Sequence, residues 1–183
     1  MKHEWPRSIP TGTVEVKESM ASTSDGYAAI WRYVFDIDLV STVTAWNRPS
    51  DEPLLLLVRE PRRLRAGLVD GLWVRLVDIP AALGARRYAL DGRIVVEVSD
   101  AFRPATAGRY ELVVEDGVGR CERIDAEPDL VGSVNVLGSV YLGGVSFSQL
   151  AEASLVEVRN EKILSEADTM FSTSPAPWCP WAF

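Results

Sequence analysis

Histidine is nearly missing from this chain of 183 residues, which contains only His3. Without a second histidine, the chain cannot assemble a Ser-His-Asp triad, a Cys-His pair or a histidine-based zinc site. The two cysteines, Cys121 and Cys179, are too few for a disulfide framework or for four zinc ligands. We therefore expect two reduced thiols and no bound metal. Any catalytic base must be a carboxylate, a tyrosine, a lysine or a chain terminus.

Long hydrophobic runs and an excess of positive charge are missing as well. No run approaches the roughly 18 apolar residues that a membrane-spanning helix needs, and residues 1–10 lack the apolar core of a signal peptide. We therefore predict a cytoplasmic protein without a membrane partner. The net charge of −7 argues against nucleic-acid binding. It is compatible with a cationic substrate such as a polyamine, an aminoglycoside or a lysine side chain, and also with simple solubility.

The central stretch of the chain predicts a strand followed directly by a helix. Residues 72–77 alternate between two faces, as in a β-strand. Asp78 is placed to cap a helix N-terminus, and Pro80 fits the first helical turn, where its missing N–H costs little. The sequence thus predicts a strand, a tight cap and a helix over residues 81–88. With 47% hydrophobic residues, the chain can form a core as one domain or two small ones.

The part of the chain before this stretch predicts two strands joined by a helix. Residues 13–19 alternate, and residues 38–46 are rich in Val and Thr, so both are predicted to be strands. Between them, Ser22 or Ser24 can cap a helix that ends at residue 35. Its apolar positions are spaced three and four apart and form one stripe: Tyr27, Ile30, Trp31, Val34 and Phe35.

The part after the central stretch predicts a hairpin-rich sheet followed by helices. Asp116-Gly117 is a hairpin-turn signal between two strand-like runs. The predicted strands cover residues 93–99, 108–115, 119–124 and 130–136. The predicted helices cover residues 137–142, 146–152 and 161–171, and Asn160 is placed to cap the last one. This order of elements is typical of the α+β class.

Four separated stretches carry a family resemblance. They are residues 39–53, which include Trp46-Asn47-Arg48-Pro49 and Asp51, and residues 70–88, 137–145 and 176–183. In this order they resemble the enhanced-intracellular-survival (Eis) family of N-acetyltransferases. The resemblance implies an α+β fold with a partial acetyltransferase-like α/β unit followed by a sterol-carrier-like sheet with helices. The predicted domains are a disordered N-terminus (1–12), the partial central acetyltransferase-like domain (13–88) and the sterol-carrier-like domain (89–183).

The resemblance also implies a function. Members of this GNAT family transfer an acetyl group from acetyl-CoA to amines, including aminoglycosides, and form oligomers. They begin with a longer acetyltransferase domain to which nothing in this chain corresponds. No segment here has the Arg/Gln-x-x-Gly-x-Gly/Ala spacing that holds the pyrophosphate of acetyl-CoA at a helix N-terminus. We therefore expect this chain to bind no cofactor and to be inactive alone. Its expected partners are the missing domain, a cationic amine substrate and further copies of itself.

The end of the chain gives the strongest signal for a site. Trp178, Trp181 and Phe183 crowd its last six residues, and three prolines keep it extended. Exposed apolar surface costs about 25 cal/mol per Å², so we predict that this tail packs into a groove. By the resemblance, the α-carboxylate of Phe183 is the catalytic base. Trp178, Trp181 and the Phe183 ring could supply an apolar wall around it, and the two tryptophans are predicted to bind the substrate. The alternative is a tail that only packs.

The sequence also contains two charged clusters and is compatible with two rival functions. The acidic residues at 125–129 fail the EF-hand pattern and are predicted to form a solvated turn. The arginine run could bind a phosphate, but a solvated loop is favoured for its members: Arg59, Arg62, Arg63 and Arg65. Apart from catalysis, the sterol-carrier-like half could hold an apolar ligand in a cavity, or the chain could serve as an oligomer-assembly module.

Overall fold

The computed structural model describes residues 11–181, which divide into two compact units. The first unit contains the described residues up to Gly71 together with the tail that starts at Trp178, and the second is Leu72–Pro177. Residues 72–88 were predicted to belong to the first domain. They group with the second unit instead, because four of their apolar side chains are buried in its core.

The first unit is built around two parallel strands joined by a helix. β1 (Gly12–Val16) pairs with β2 (Val40–Ala45), and α1 (Ser24–Phe35) connects them, because parallel neighbours need a crossover. The short helix α2 (Leu54–Leu57) follows. Both predicted strands and the predicted helix are confirmed. Of the segment predicted to be disordered, residues 1–10 lie outside the described residues, whereas residue 12 already belongs to β1.

One face of α1 forms the core of this unit. Trp31 and Val34, three residues apart, are buried together with Leu54. The helix begins after Thr23, whose hydroxyl oxygen accepts the N–H of Gly26 at 3.1 Å. The N-cap therefore lies between the two serines that the sequence predicted for this position.

The second unit is a five-stranded sheet with helices packed on one face. Its strands are β3 (Gly92–Ser99), β4 (Gly108–Glu115), β5 (Val118–Arg123), β6 (Leu130–Ser133) and β7 (Val156–Val158). They lie in the order β5-β4-β3-β6-β7, with β3 and β6 parallel and the other described pairs antiparallel. The helices are α3 (Ile79–Ala85), α4 (Val134–Val140), α5 (Phe147–Glu152) and α6 (Glu161–Phe171). The fold is thus α+β, as the sequence predicted.

The inner face of this sheet and the helices form the main core. Alternate residues of β3, namely Ile94, Val96 and Val98, point into it, as the two-residue period of a strand requires. Phe147 is fully buried and meets Phe171 edge to face, with 5.2 Å between the ring centroids. The space between sheet and helices is therefore filled by side chains.

Residues 72–77 are the main departure from the predicted pattern. They have no regular secondary structure and pair with no strand in the described part of the chain, so the predicted strand is wrong. The cap that follows is confirmed, because a carboxylate oxygen of Asp78 accepts the N–H of Ala81 at 3.0 Å. Helix α3 ends three residues before its predicted end, because Arg86 leaves helical geometry with a ψ of 166°.

The acidic segment between β5 and β6 is only partly the solvated turn that was predicted. Asp125 and Glu127 are exposed. Asp129 instead accepts the N–H of Val95 and the side-chain amide of Asn160, each at 2.8 Å. Asn160 makes no side-chain cap for α6, so the predicted cap is wrong. Asp129 therefore ties β3 to the start of the last helix.

Candidate functional site

In the first unit, the loop after β2 holds the tail. Trp178 donates its indole N–H to the carbonyl oxygen of Asn47 at 3.0 Å, and the side-chain amide of Asn47 donates to the carbonyl oxygen of Cys179 at 2.9 Å. One loop residue thus binds two consecutive tail residues. Asn47 has a φ of +53°, a left-handed conformation that asparagine adopts more readily than most residues. We call these two hydrogen bonds the tail latch.

Arg48, the next residue, supports the latch. Its guanidinium carbon lies 5.8 Å from the ring centroids of both Trp31 and Trp178, within the range of a cation–π interaction. The same group donates to a carboxylate oxygen of Glu52 at 2.6 Å and to the carbonyl oxygen of Ser19 at 3.1 Å. One side chain therefore connects helix α1, the loop before it and the loop after β2 to the tail.

The Arg48–Glu52 ion pair is largely removed from water, since its side chains are 15% and 9% exposed. Burial raises the pKa of Glu52, and the N–H of Leu54 opposes this effect by donating to the other carboxylate oxygen at 3.1 Å. Burial also lowers the pKa of Arg48. Where solvent is scarce, each charge depends on its partner, so replacing one of them would leave an unpaired buried charge. The ion pair therefore holds the Arg48 side chain that supports the tail latch.

The three site residues predicted from the sequence differ in their placement. Trp178 is half-buried against Arg48, so the predicted packing of the tail is confirmed there. Trp181 is 77% exposed, so the predicted packing is wrong for this residue. The described hydrogen bonds between the loop and the tail reach no further than Cys179. Phe183 lies outside the described residues. Its role as base and the substrate contacts of both tryptophans stay predictions.

Sequence reasoning missed the loop side of this site. Asn47, Arg48 and Glu52 hold the tail, but nothing local to either segment shows that they meet, because Asn47 and Trp178 are 131 residues apart. The available signal was the stretch Trp46-Asn47-Arg48-Pro49, which carries part of the family resemblance. Together with the aromatic tail, it could have indicated a contact between the two segments.

Other candidate ligand sites have less support. The four arginines at 59–65 are all exposed, which fits the predicted solvated loop. In the described range, no group of His, Cys, Asp and Glu side chains is placed to hold a metal ion. None of the helices described between residues 11 and 181 has the length and apolar character to cross a membrane. A concavity of about 460 Å³ on the second unit is open to solvent and is lined in part by Glu97, Ser99 and Arg109.

Protein-family profiles match both parts of the chain. Residues 79–180 match the family described as "Sterol carrier protein domain". Residues 3–76 match the family described as "Acetyltransferase (GNAT) domain". The acetyltransferase match therefore precedes the sterol-carrier match in the chain.

Several curated relatives are N-acetyltransferases. An uncharacterized N-acetyltransferase of Streptomyces avermitilis is 43% identical over 183 residues, which is 100% of this chain and 45% of the relative. The N-acetyltransferase Eis of Mycobacterium tuberculosis is 35% identical over 159 residues, covering 86% of this chain and 39% of the relative. The crystal structure of Eis1 from Mycobacterium abscessus matches with a TM-score of 0.77 and 37% identity, over 93% of this chain and 43% of that one. The chain thus spans less than half the length of these relatives.

Proposed function

We propose, from the premise that this chain belongs to the sterol carrier protein domain family and also matches a GNAT acetyltransferase domain, that it is the C-terminal part of an Eis-type N-acetyltransferase. The observation that carries this proposal is the 35% identity to Eis over 86% of the chain. The complete enzyme transfers the acetyl group of acetyl-CoA to a cationic amine, such as an aminoglycoside. The net charge of −7 favours the approach of such a substrate.

The tail latch supports a role for the chain end in that reaction. An ammonium nitrogen has no lone pair, so a base must take its proton before or during attack on the thioester carbonyl. The α-carboxylate of Phe183 is the proposed base. The neutral nitrogen attacks the thioester carbonyl and loses its second proton to solvent. The carbon–sulfur bond breaks as the amide forms, and the leaving thiolate of CoA is protonated by an acid outside this chain. Trp178 contributes apolar surface, and the exposed ring of Trp181 is available to the substrate.

In the complete enzyme, acetyl-CoA binds to a domain outside this chain. The sequence contains no pyrophosphate loop of the acetyltransferase type before a helix. In calorimetric titration, the isolated chain is therefore expected to bind acetyl-CoA with a Kd above about 100 μM, which corresponds to a binding free energy weaker than about −5.5 kcal/mol. A complete Eis enzyme serves as the positive control. Tighter binding by this chain alone would contradict the assignment.

The first unit exposes apolar side chains that fit a docking surface for such a domain. Leu56 and Leu68 are 90% and 93% exposed. The two strands of the described sheet in this unit also leave open edges, and open edges and apolar patches of this kind favour association. In the complete enzyme, we propose that these side chains face the acetyltransferase domain.

The isolated chain is therefore expected to self-associate. Light scattering at increasing concentration should show a mass above that of a monomer, and a dye for apolar surface should bind. The double change Leu56→Glu and Leu68→Glu is expected to restore a monomer. Leu155→Glu, at another exposed leucine in the second unit, should leave the association unchanged. A clean monomer of the unmodified chain without dye binding would contradict this docking surface.

A second candidate function, the transport of an apolar ligand, takes its support from the sterol carrier protein match. The packing of the second unit favours it less. Phe147, Leu137 and Met170 are each at most 1% exposed and fill the space between sheet and helices. The 460 Å³ concavity carries the charged residues Glu97 and Arg109. An apolar ligand would have to displace packed side chains, so we favour the acetyltransferase role.

A further inference from the structure

The tail latch fixes the chain close to its last residue. Asn47 binds Trp178 and Cys179, and four residues follow Cys179 in the sequence. Because each residue spans at most about 3.5 Å, covalent geometry confines the α-carboxylate of Phe183 to within about 14 Å of Cys179. The latch therefore limits how far that carboxylate can lie from the loop after β2.

Both the backbone and the side chain of Asn47 take part in the tail latch. Its left-handed backbone turns the carbonyl oxygen toward Trp178 while the side-chain amide reaches Cys179. Aspartate has the same shape and also tolerates this backbone, but it has no N–H to donate to the carbonyl of Cys179. Arg48 is held separately by its ion pair with Glu52. An Asn47→Asp change therefore removes one hydrogen bond and leaves the support beneath the latch in place.

We propose that Asn47 is a positioning residue for acetyl transfer, which acts through Trp178 and Cys179 to set where the tail carboxylate meets the substrate ammonium. This inference rests on the proposed function, in which that carboxylate is the base. A general base must come within about 3 Å of the proton donor, and a misplacement of about 1 Å can cost about a hundredfold in rate. A residue that touches neither substrate nor acetyl-CoA thus controls turnover.

The latch is tested in this chain by the rate at which the thiol of Cys179 reacts with an aromatic disulfide reagent. Asn47→Asp is expected to raise that rate about fivefold or more, because the tail opens more often without its hydrogen bond. Burial raises the pKa of the Cys121 thiol to about 12, so Cys121 reacts slowly and does not interfere. Asn135→Asp is the same change at an exposed position of α4 and should stay within about twofold. An unchanged rate in Asn47→Asp overturns the inference.

The catalytic consequence is tested in the complete acetyltransferase. Asn47→Asp is expected to lower kcat about tenfold or more, with the KM for acetyl-CoA within about twofold, because acetyl-CoA binds elsewhere. Added formate is expected to restore part of the turnover by replacing the displaced carboxylate, which it would not do for a partly unfolded enzyme. An unchanged kcat, or a loss that formate does not rescue, overturns the positioning role.

Failure of this inference and failure of the proposed function give different patterns. If lengthening the tail by one residue after Phe183 lowers turnover but Asn47→Asp does not, the base stands and the positioning role is overturned. If neither change affects turnover, the proposed base is overturned together with the positioning role. In both cases, the reactivity of Cys179 reports independently whether Asn47 holds the tail.

Discussion

One alanine added after Phe183 is expected to lower the turnover of the complete acetyltransferase about tenfold or more, or about 1.4 kcal/mol in activation free energy. The latch holds the tail at Cys179, so an added residue moves the α-carboxylate by up to about 3.5 Å, beyond hydrogen-bond reach of the ammonium. An α-carboxyl group has a pKa of about 3.5 in water and is a weak base there. In the complete enzyme, burial of this carboxyl group would disfavour its charged form, raise its pKa and make it a stronger base.

The measurement is kcat at saturating substrate, compared between the extended and the unmodified enzyme. Thermal unfolding of both proteins is the control, and equal midpoints are expected, because the added residue lies beyond the last contact between tail and loop that the structure describes. Turnover that survives the extension would reduce the tail to a packing element. The alternative reading of the tail, in which it only fills a groove, would then be correct.

Arg86→Ala is expected to lower the free energy of unfolding of the second unit by about 3 kcal/mol. The guanidinium donates to the carbonyl oxygens of Tyr141 at 2.8 Å and Phe171 at 3.0 Å, at the ends of α4 and α6. Its central carbon also lies 4.6 Å from the ring centroids of both Tyr88 and Phe171. Alanine would leave helix-terminal carbonyls without their donor and remove the cation from between two rings.

Urea unfolding followed by circular dichroism measures this effect. Arg87→Ala is the matched control, because the side chain of Arg87, the next residue, is exposed. We expect this change to lower the free energy of unfolding by at most about 0.5 kcal/mol. Arg86→Lys should recover only part of the loss, because an ammonium cannot reproduce the planar fork that reaches several carbonyls. A change below about 1 kcal/mol in Arg86→Ala would show that water replaces these hydrogen bonds without cost.

Local signals predicted most of the second unit, and the exceptions have a tertiary cause. β4 covers residues 108–115 as predicted, because strand alternation and turn residues act over short distances. Residues 130–136 also alternate, yet Val134, Leu137 and Val140 are buried at helical spacing, so the strand gives way to α4. The three-residue strand β7 is too short to show a periodic pattern, and it exists through its pairing with β6.

Only the tail side of the site was predictable from the sequence. Three aromatic rings in the last six residues predicted that the tail packs against a surface, and Trp178 does pack against Arg48. The identity of that surface depended on Asn47, whose one signal in the sequence is its place in a stretch that carries part of the family resemblance. Its hydrogen bonds with the tail depend on a backbone conformation and a long-range contact, and neither can be seen in a single sequence.

The discontinuity of the first unit gives the folding of this chain a direction. Leu72–Pro177 stands between the two pieces of that unit, and the latch joins residues 131 positions apart. Closing an unstructured loop of this length costs about 4 kcal/mol in chain entropy. Within the second unit, β3, β4 and β5 pair as consecutive antiparallel strands, whose short loops close at a smaller entropy cost, and folding of this unit would shorten the loop that remains to be closed. We therefore expect the tail to join the first unit last, so that a chain cut before Trp178 still forms the five-stranded sheet but lacks the latch.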